Sequence, residues 1–581
     1  MKIPIGEYIK LLSKHLKLLL PQVVLLGFLL AGSVGLQLVN PQIIRYFIDT
    51  VTGGGAGENL IYAALLYIGL AVIQQVIAVF ATYVSQDVGW KSTNELRCRL
   101  FLHCMKLDMS FHKEHQSGEL IQRVDGDVTA LFEFFSKFSI NLLTNVGLLV
   151  GVVVLLFGIN GVLGAVMAIY CIAAFFVFGC IHKASISHNL RDRELEARFF
   201  GFIGEQLACM EDIRSNGASL NVMHNFYNFL RKWLPVRIKR GVANYSPWMT
   251  GELVSQIGNF VGLGLGAYLW SRSIISVGSI FVIFKYIDLI VRPINQIRRQ
   301  FQDLQNAGSS IIRINELLNT KSRITDGNGG CLPDGALSVS VKNVSFDYEE
   351  GVRVIKNITV NIPRGRILGV LGRTGSGKTT LARLLVRFYD VKKGEVRLGG
   401  EGIRNVPLKE LRNRIAYVTQ EVQLFKATIR DNLTFFNDNI TDDTIMRAIC
   451  EIGLKSWLDS MPQGLSTMLD SGGGGLSAGE AQLLAFVRAF LKNPGLLILD
   501  EASSRLDPAT EDLIEKAIDR LLVGRTAIII AHRLKTVRRA DDILILEGGC
   551  ILEHGSRERL LKDEGSHFNH LLQSGIEEVL A

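Results

Sequence analysis

The sequence predicts two units of different chemistry: an α-helical membrane domain of six transmembrane helices, followed by an α/β domain built around a phosphate-binding loop. Three observations carry this. Hydrophobic residues make up 48% of the 581 and charged residues 20%, with a mean hydropathy of +0.26, too oily for an ordinary soluble enzyme and too varied for a fibrous or disordered chain. The long uncharged runs lie in the first half of the chain. In the second half, short β-branched runs alternate with helical stretches, and one of them leads into a glycine-rich loop of the form G-x-x-x-x-G-K-[ST].

Residues 18–44 are the first span, 27 residues without a charge. That is longer than a signal-peptide core and enough to cross about 30 Å of hydrocarbon, so the helix is retained although Lys2, Lys10, Lys14 and Lys17 precede it. Residues 60–86 form a second uncharged run, and residues 138–182 a third of 45, long enough for two spans broken at Gly158-Ile159-Asn160-Gly161. Residues 253–271 and 273–291 complete the six, the last interrupted only by Lys285 and Asp288. Segments 87–137 and 183–244 carry seven and ten Lys/Arg, against little beyond Arg272 on the opposite side, which places them, the N-terminus and the second domain in the cytoplasm. Folded as two antiparallel helical arms of about 25 residues each, such a segment reaches about 40 Å from the bilayer and acts as a lever.

Polar residues within the spans, Gln37, Asn40, Gln74, Gln75, Asn141, Asn145, Gln256 and Asn259, read as interhelical contacts, with cavity lining as the alternative. Lys285 and Asp288, three apart on one helix face, read either as a mutually neutralising pair or as part of a polar substrate path. The eight cysteines show no CxxC pair or His-spaced metal pattern, so no disulfide framework or zinc site is expected. The net charge of +8 lies near the membrane helices, without aromatic-basic interleaving, and no nucleic-acid partner is expected.

Past Leu317 the chain becomes polar (Asn319-Thr320-Lys321-Ser322-Arg323) and then glycine-rich (Gly327-Asn328-Gly329-Gly330), as linkers are. The expected division is a transmembrane domain over 1–315, a linker over 316–336 and a cytoplasmic domain over 337–581. In the last, runs such as 337–344 and 366–371 alternate with helical segments, indicating a largely parallel sheet.

Gly372-Arg373-Thr374-Gly375-Ser376-Gly377-Lys378-Thr379 follows the apolar strand Ile367-Leu368-Gly369-Val370-Leu371 and opens the helical stretch starting at Thr380. Its glycines let backbone N–H groups wrap phosphates, Lys378 reaches the β- and γ-phosphates and the Thr379 hydroxyl is placed for Mg²⁺. A second apolar strand, Leu496-Leu497-Ile498-Leu499, ends in Asp500-Glu501, one acid for the metal and one to polarise water.

Together with Leu476-Ser477-Ala478-Gly479-Glu480, which looks like the signature loop LSGGQ twenty residues before the second strand, these residues resemble the ATP-binding cassette (ABC) transporter family over essentially the whole chain. The match is to exporter-type half-transporters, six helices followed by one P-loop nucleotide-binding domain. The resemblance implies ATP and Mg²⁺ as cofactors. It implies nucleotide contacts at Tyr348, Gly372, Arg373, Thr374, Gly375, Ser376, Gly377, Lys378, Thr379, Thr380, Ser477 and Gly479, with Tyr348 stacking on adenine. It implies metal contacts at Thr379, Gln420 and Asp500, and catalytic roles for Glu501, for the switch histidine His532 and for the Q-loop glutamine Gln420. Coupling helices are implied near residues 108–117 and 211–217.

Three departures stand out. The signature reads LSAGE, with Ala478 for a glycine and Glu480 adding a negative charge; Asp470-Ser471-Gly472-Gly473 stands where exporters often have Gly-Glu-x-Gly; and Arg505 replaces an alanine in Ser503-Ser504-Arg505-Leu506-Asp507. Intact Walker residues beside an atypical signature favour one subunit of a heterodimer over a homodimer with a tolerated variant. The expected function is ATP-driven export by alternating access, in a bacterial inner membrane, with a second half-transporter as partner and a small molecule, lipid or peptide as cargo. The alternatives are an importer of chelates on the same fold, and an ATP-gated or regulatory membrane ATPase.

Overall fold

The computed structural model describes residues 20–54, 57–134, 136, 139–349, 351–470, 476–500, 508–531 and 537–573. The chain divides into two compact units, residues 1–105 with 117–320, and residues 106–116 with 321–581.

Six long helices make the first unit: α1 Leu20–Thr52, α2 Gly57–Lys106, α3 Ser139–Ile159, α4 Gly161–Ala208, α5 Ser219–Ser271 and α6 Val277–Asn319. The expected break between the third and fourth spans falls at Asn160, whose side-chain oxygen accepts from the N–H groups of Val162 (2.9 Å) and Leu163 (3.3 Å) and so caps α4. With 50 and 53 residues, α2 and α5 extend roughly 75–80 Å, more than twice the hydrocarbon thickness. The outgoing arm in α2 and the arm in α5 are therefore uninterrupted continuations of the membrane helices, whereas the return to α3 runs through the shorter helical segments Ser117–Ile121, Gln122–Gly126 and Asp127–Glu133. Leu20–Thr52, Glu58–Lys106 and Asn141–Ile159 are long and apolar enough to cross a membrane, with Gly161–Val177 as a shorter apolar stretch. Polar residues such as Gln256, Asn259, Lys285 and Asp288 make α5 and α6 less apolar.

The core of this unit joins α3 to α6, where Leu156, Leu163, Met167, Val282, Ile283 and Ile287 are wholly buried. Gly262 lets α5 approach α6, since a Cβ there would lie 2.1 Å from Ile287 Cδ1. Pro41 removes an N–H within α1; beside it the Tyr286 hydroxyl of α6 donates to the Leu38 carbonyl (2.9 Å) and accepts from Gln42 (2.7 Å), tying the two helices together at that turn. Asn40 donates to Gln74 at 3.2 Å, an interhelical contact of the expected kind. The Lys285 ammonium lies over the rings of Phe281 and Phe284, 5.6 and 6.0 Å from their centroids, so aromatic faces share the solvation of this charge.

Two buried carboxylates tie the lever region together. Asp127 accepts from Ser310 Oγ (3.0 Å), from Arg313 Nε (2.9 Å) and from a second Arg313 N–H. Asp192, wholly buried, accepts from Trp233 Nε1 at 2.9 Å and from Arg240.

The second unit holds two sheets. A six-stranded sheet runs β10-β9-β3-β8-β7-β6, from β3 Ile367–Leu371, β6 Ile415–Val418, β7 Leu496–Asp500, β8 Thr526–Ile530, β9 Asp542–Glu547 and β10 Cys550–Ser556. It is parallel except for β10 at its edge. The run expected from residue 337 lies instead in a separate antiparallel sheet ordered β2-β1-β4-β5, built from β1 Val339–Asp347, β2 Arg353–Ile362, β4 Lys393–Leu398 and β5 Glu401–Gly402. The link from β1 to β2 is too short for the crossover that parallel pairing requires. Parallel strands buried on both faces read as continuous apolar runs, as in Thr526–Ile530, where every residue is buried.

Candidate functional site

At the C-terminal end of β3 the chain turns through residues 372–377 into α7 Lys378–Leu385. Two glycines make that turn possible. Gly372 has φ +145°, and a Cβ there would lie 2.2 Å from the Leu546 carbonyl oxygen; Gly377 has φ +104° with Ile355 Cδ1 at 2.7 Å. A loop of this shape, opening a helix, presents N–H groups and positive potential to an anion.

Lys378 folds back over the loop, its Nζ donating to the carbonyls of Gly372 (2.5 Å) and Arg373 (3.2 Å). Burial pushes its ammonium below the ordinary lysine value, and Asp500 pulls it partly back. Asp500 closes β7 and is 3% exposed; its Oδ2 accepts from the Tyr417 hydroxyl at 3.0 Å, while Oδ1 is buried without a hydrogen-bond partner among the described residues. Ser376 Oγ is likewise buried and unpartnered. Two open oxygens beside a buried ammonium suit a phosphate with a divalent cation, because each lacks the partner a buried polar atom needs. Thr379, half-buried at the start of α7, adds a hydroxyl.

Tyr417 was not visible as a site residue in the sequence. It stands on β6, which pairs with β7 so that Tyr417 lies opposite Ile498, and only that register brings its hydroxyl to Asp500. Burial and the neighbouring Asp500 push the phenol above its ordinary value, so it stays a donor.

Tyr348 follows β1. Its ring meets Phe346 and Tyr389 edge to face, with centroids at 5.0 and 5.1 Å, and its hydroxyl lies 3.1 Å from Thr380 Oγ1. Thr380 is in the first turn of α7, so the ring is held in register with the phosphate loop. Arg373, Thr374 and Gly375 are exposed along that loop, and Gln420 is exposed after β6.

The signature region opens α8 Ala478–Lys492. Ser477 is the N-cap: its Oγ accepts from the Glu480 N–H, and Glu480 Oε2 accepts from the Ser477 N–H at 2.7 Å, a capping box. Glu480 Oε1 also accepts from Trp457 Nε1 at 2.9 Å. The unusual acid thus engages both oxygens within its own unit, a role its S-x-x-E spacing signals but its place in the signature hides. Gly479 is buried. Glu501 and His532 lie outside the described residues, as do Ser471, Gly472, Gly473 and Arg505.

The second unit also includes the short helix Met109–Glu114, at one expected coupling position. Asp108 caps it, accepting from the N–H groups of Ser110 (2.9 Å) and Phe111 (3.3 Å), and its other oxygen accepts from the Arg323 N–H (2.5 Å) and Ser322 Oγ (3.2 Å). Burial alone would raise the Asp108 carboxyl, but these donors hold it below its ordinary value. The other coupling position, Met210–Ser215, is a short helix with no buried residue.

A phosphate loop, an acid-ended strand two places along the same sheet, and long helices of which three, among the described residues, are apolar enough to cross a membrane define a membrane protein with a P-loop domain. Residues 23–294 match the family model of the ABC transporter transmembrane region, and residues 355–504 that of the ABC transporter. The chain is 30% identical over 543 residues to the uncharacterised ABC transporter ATP-binding protein YknV of Bacillus subtilis, covering 92% of this chain and 89% of that one. It is 29% identical over 549 residues to the ATP-dependent lipid A-core flippase of Idiomarina loihiensis, covering 90% and 91%. In structure it is similar to a bacterial Atm1-family ABC exporter with ATP bound, with a TM-score of 0.79, 24% identity and coverage of 96% and 98%. The chain belongs to the ABC transporter family. It is a half-transporter of exporter architecture and an ATP hydrolase of that family, set in a membrane by several helices.

Proposed function

We propose that this protein is one half of an ATP-driven exporter that works by alternating access. The observation that carries this is a buried Lys378 folded over the phosphate loop together with a buried Asp500 whose inner oxygen is open among the described residues, in a chain that also spans the membrane. Lys378 and the loop N–H groups hold the β- and γ-phosphates, and Tyr348 stacks on the base. Asp500, Thr379 and Gln420 would hold Mg²⁺, which supplies charge neutralisation across the phosphates. Glu501 takes the proton of the attacking water and His532 steadies the γ-phosphate. ATP closes two such domains head to tail, the coupling helices transmit closure to the levers, and hydrolysis resets the cycle. Similarity to bacterial proteins named for multidrug export and for lipid A-core flipping supports export as the direction, and the site is the bacterial inner membrane.

The partner is a second, different half-transporter. In a head-to-tail dimer the LSAGE loop of this chain faces the partner's nucleotide, and there Glu480 already engages the Ser477 N–H where a γ-phosphate would approach. This half-site therefore holds nucleotide while the site of Lys378, Asp500 and Glu501 turns over. Purified alone, the chain is expected to hydrolyse ATP slowly and to gain activity when co-assembled with a half-transporter carrying an ordinary signature. Vigorous transport-coupled hydrolysis by a homodimer would overturn the pairing. ATP-dependent accumulation of cargo in inverted vesicles marks export; efflux from them marks import.

A further inference from the structure

A cleft of about 760 Å³ lies within the second unit, bordered by Lys113 and Glu114 of the short helix, by Arg323, and by Tyr348, Tyr389 and Lys392. Most of its charges are spoken for. Glu114 pairs with Arg323 at 3.0 Å, and Lys392 with Asp347 at 2.5 Å. Lys113 differs: its ammonium sits over the face of the Tyr348 ring, 4.8 Å from the centroid. Tyr348 meets Phe346 and Tyr389 edge-on, and its hydroxyl is tied to Thr380 of the phosphate-loop helix. The face covered by Lys113 is thus the face of a ring fixed in register with the phosphates.

We propose that Lys113 is a base-site residue, capping the purine of ATP as the base enters between its ammonium and the Tyr348 ring. This rests on the reading of Tyr348 as the base-stacking aromatic. A stacked base needs about 3.5 Å on its ring side and a similar distance to the cation, so the ammonium moves outward by roughly 2 Å, within the reach of a flexible lysine. It then makes with the purine the cation–π contact it now makes with tyrosine, and the short helix gains a contact that depends on the base and not on the phosphates. Asp108, locked to Ser110, Phe111, Ser322 and the Arg323 N–H, holds the helix in place, so the change is carried by the Lys113 side chain.

The test compares ATP with inorganic tripolyphosphate, which has no base, on the full-length protein in nanodiscs. Lys113→Met keeps the apolar stem of an exposed residue and removes the charge. It is expected to weaken ATP binding about 3- to 5-fold, leave tripolyphosphate binding unchanged, and add nothing to the loss caused by Tyr348→Leu. Parallel weakening of both ligands makes Lys113 a general phosphate attractor and overturns the proposal. A Lys113→Met protein that binds ATP normally while Tyr348→Leu binds it poorly also overturns it, and leaves the base-stacking role of Tyr348 standing. If Tyr348→Leu binds ATP normally, the stacking role itself fails.

Discussion

Replacing Lys378 by alanine is expected to weaken ATP binding about 100-fold, the loss of roughly 3 kcal/mol that follows from removing a charge-assisted contact to the phosphates. The lysine is buried over the loop, where it donates to two carbonyls and feels the charge of Asp500, and an incoming triphosphate adds anionic oxygens that carbonyls do not match. Its depressed basicity gives a second signature. A bound phosphate favours the ammonium, so ATP binding takes up a proton wherever free Lys378 has begun to lose one. Affinity is then level at neutral pH and falls as pH rises through the lowered value, with an earlier onset than an ordinary lysine gives. Lys378→Arg, which stays charged, should remove that alkaline fall even if it binds less tightly. Calorimetric titration with ATP at neutral and alkaline pH checks both; undiminished binding by the alanine variant would remove Lys378 from the site.

Asp127→Ala is expected to cost about 2–3 kcal/mol of stability, a large loss for one polar residue of the lever region. The carboxylate is 1% exposed and accepts from Ser310 and twice from Arg313. Its removal strands both donors. The Arg313 side chain is 44% exposed, so water recovers part of the loss, which sets the figure below that of a fully buried pair. Replacing Arg313 by leucine as well should be milder than the sum of the two single changes. Thermal unfolding of the detergent-solubilised protein measures this, and an unshifted midpoint for Asp127→Ala would show that the network carries no stability.

The division into apolar helices and a P-loop domain was legible because both signals are local. An uncharged run such as residues 60–86 has no other use than burial in lipid or core, and G-x-x-x-x-G-K-T carries its geometry within eight positions. The break at residues 158–161 was legible for the same reason, although the capping role of Asn160 within it was not. What stayed hidden depends on pairing between distant segments. Tyr417 reaches Asp500 only through the β6–β7 register, and Trp457 meets Glu480 across 23 residues. The β1 strand sits in an antiparallel sheet because of its short link to β2, a matter of topology rather than composition. Lys113 is one basic residue among seven in its loop, and nothing in its neighbours marks it as the one above Tyr348.

In the proposed cycle ATP is held by one set of residues and hydrolysed by another, so that binding and turnover are separable. The most direct measurement is nucleotide occlusion in the Glu501→Gln protein assembled with its partner half. Asp500 lies next in sequence and keeps its fixed hydrogen bond from Tyr417, so the phosphate site is unchanged and only the group that activates water is lost. Labelled ATP is expected to stay bound through gel filtration, with phosphate release reduced at least 100-fold relative to the parent protein. Phosphate release at the parent rate, with no nucleotide retained, would contradict the account.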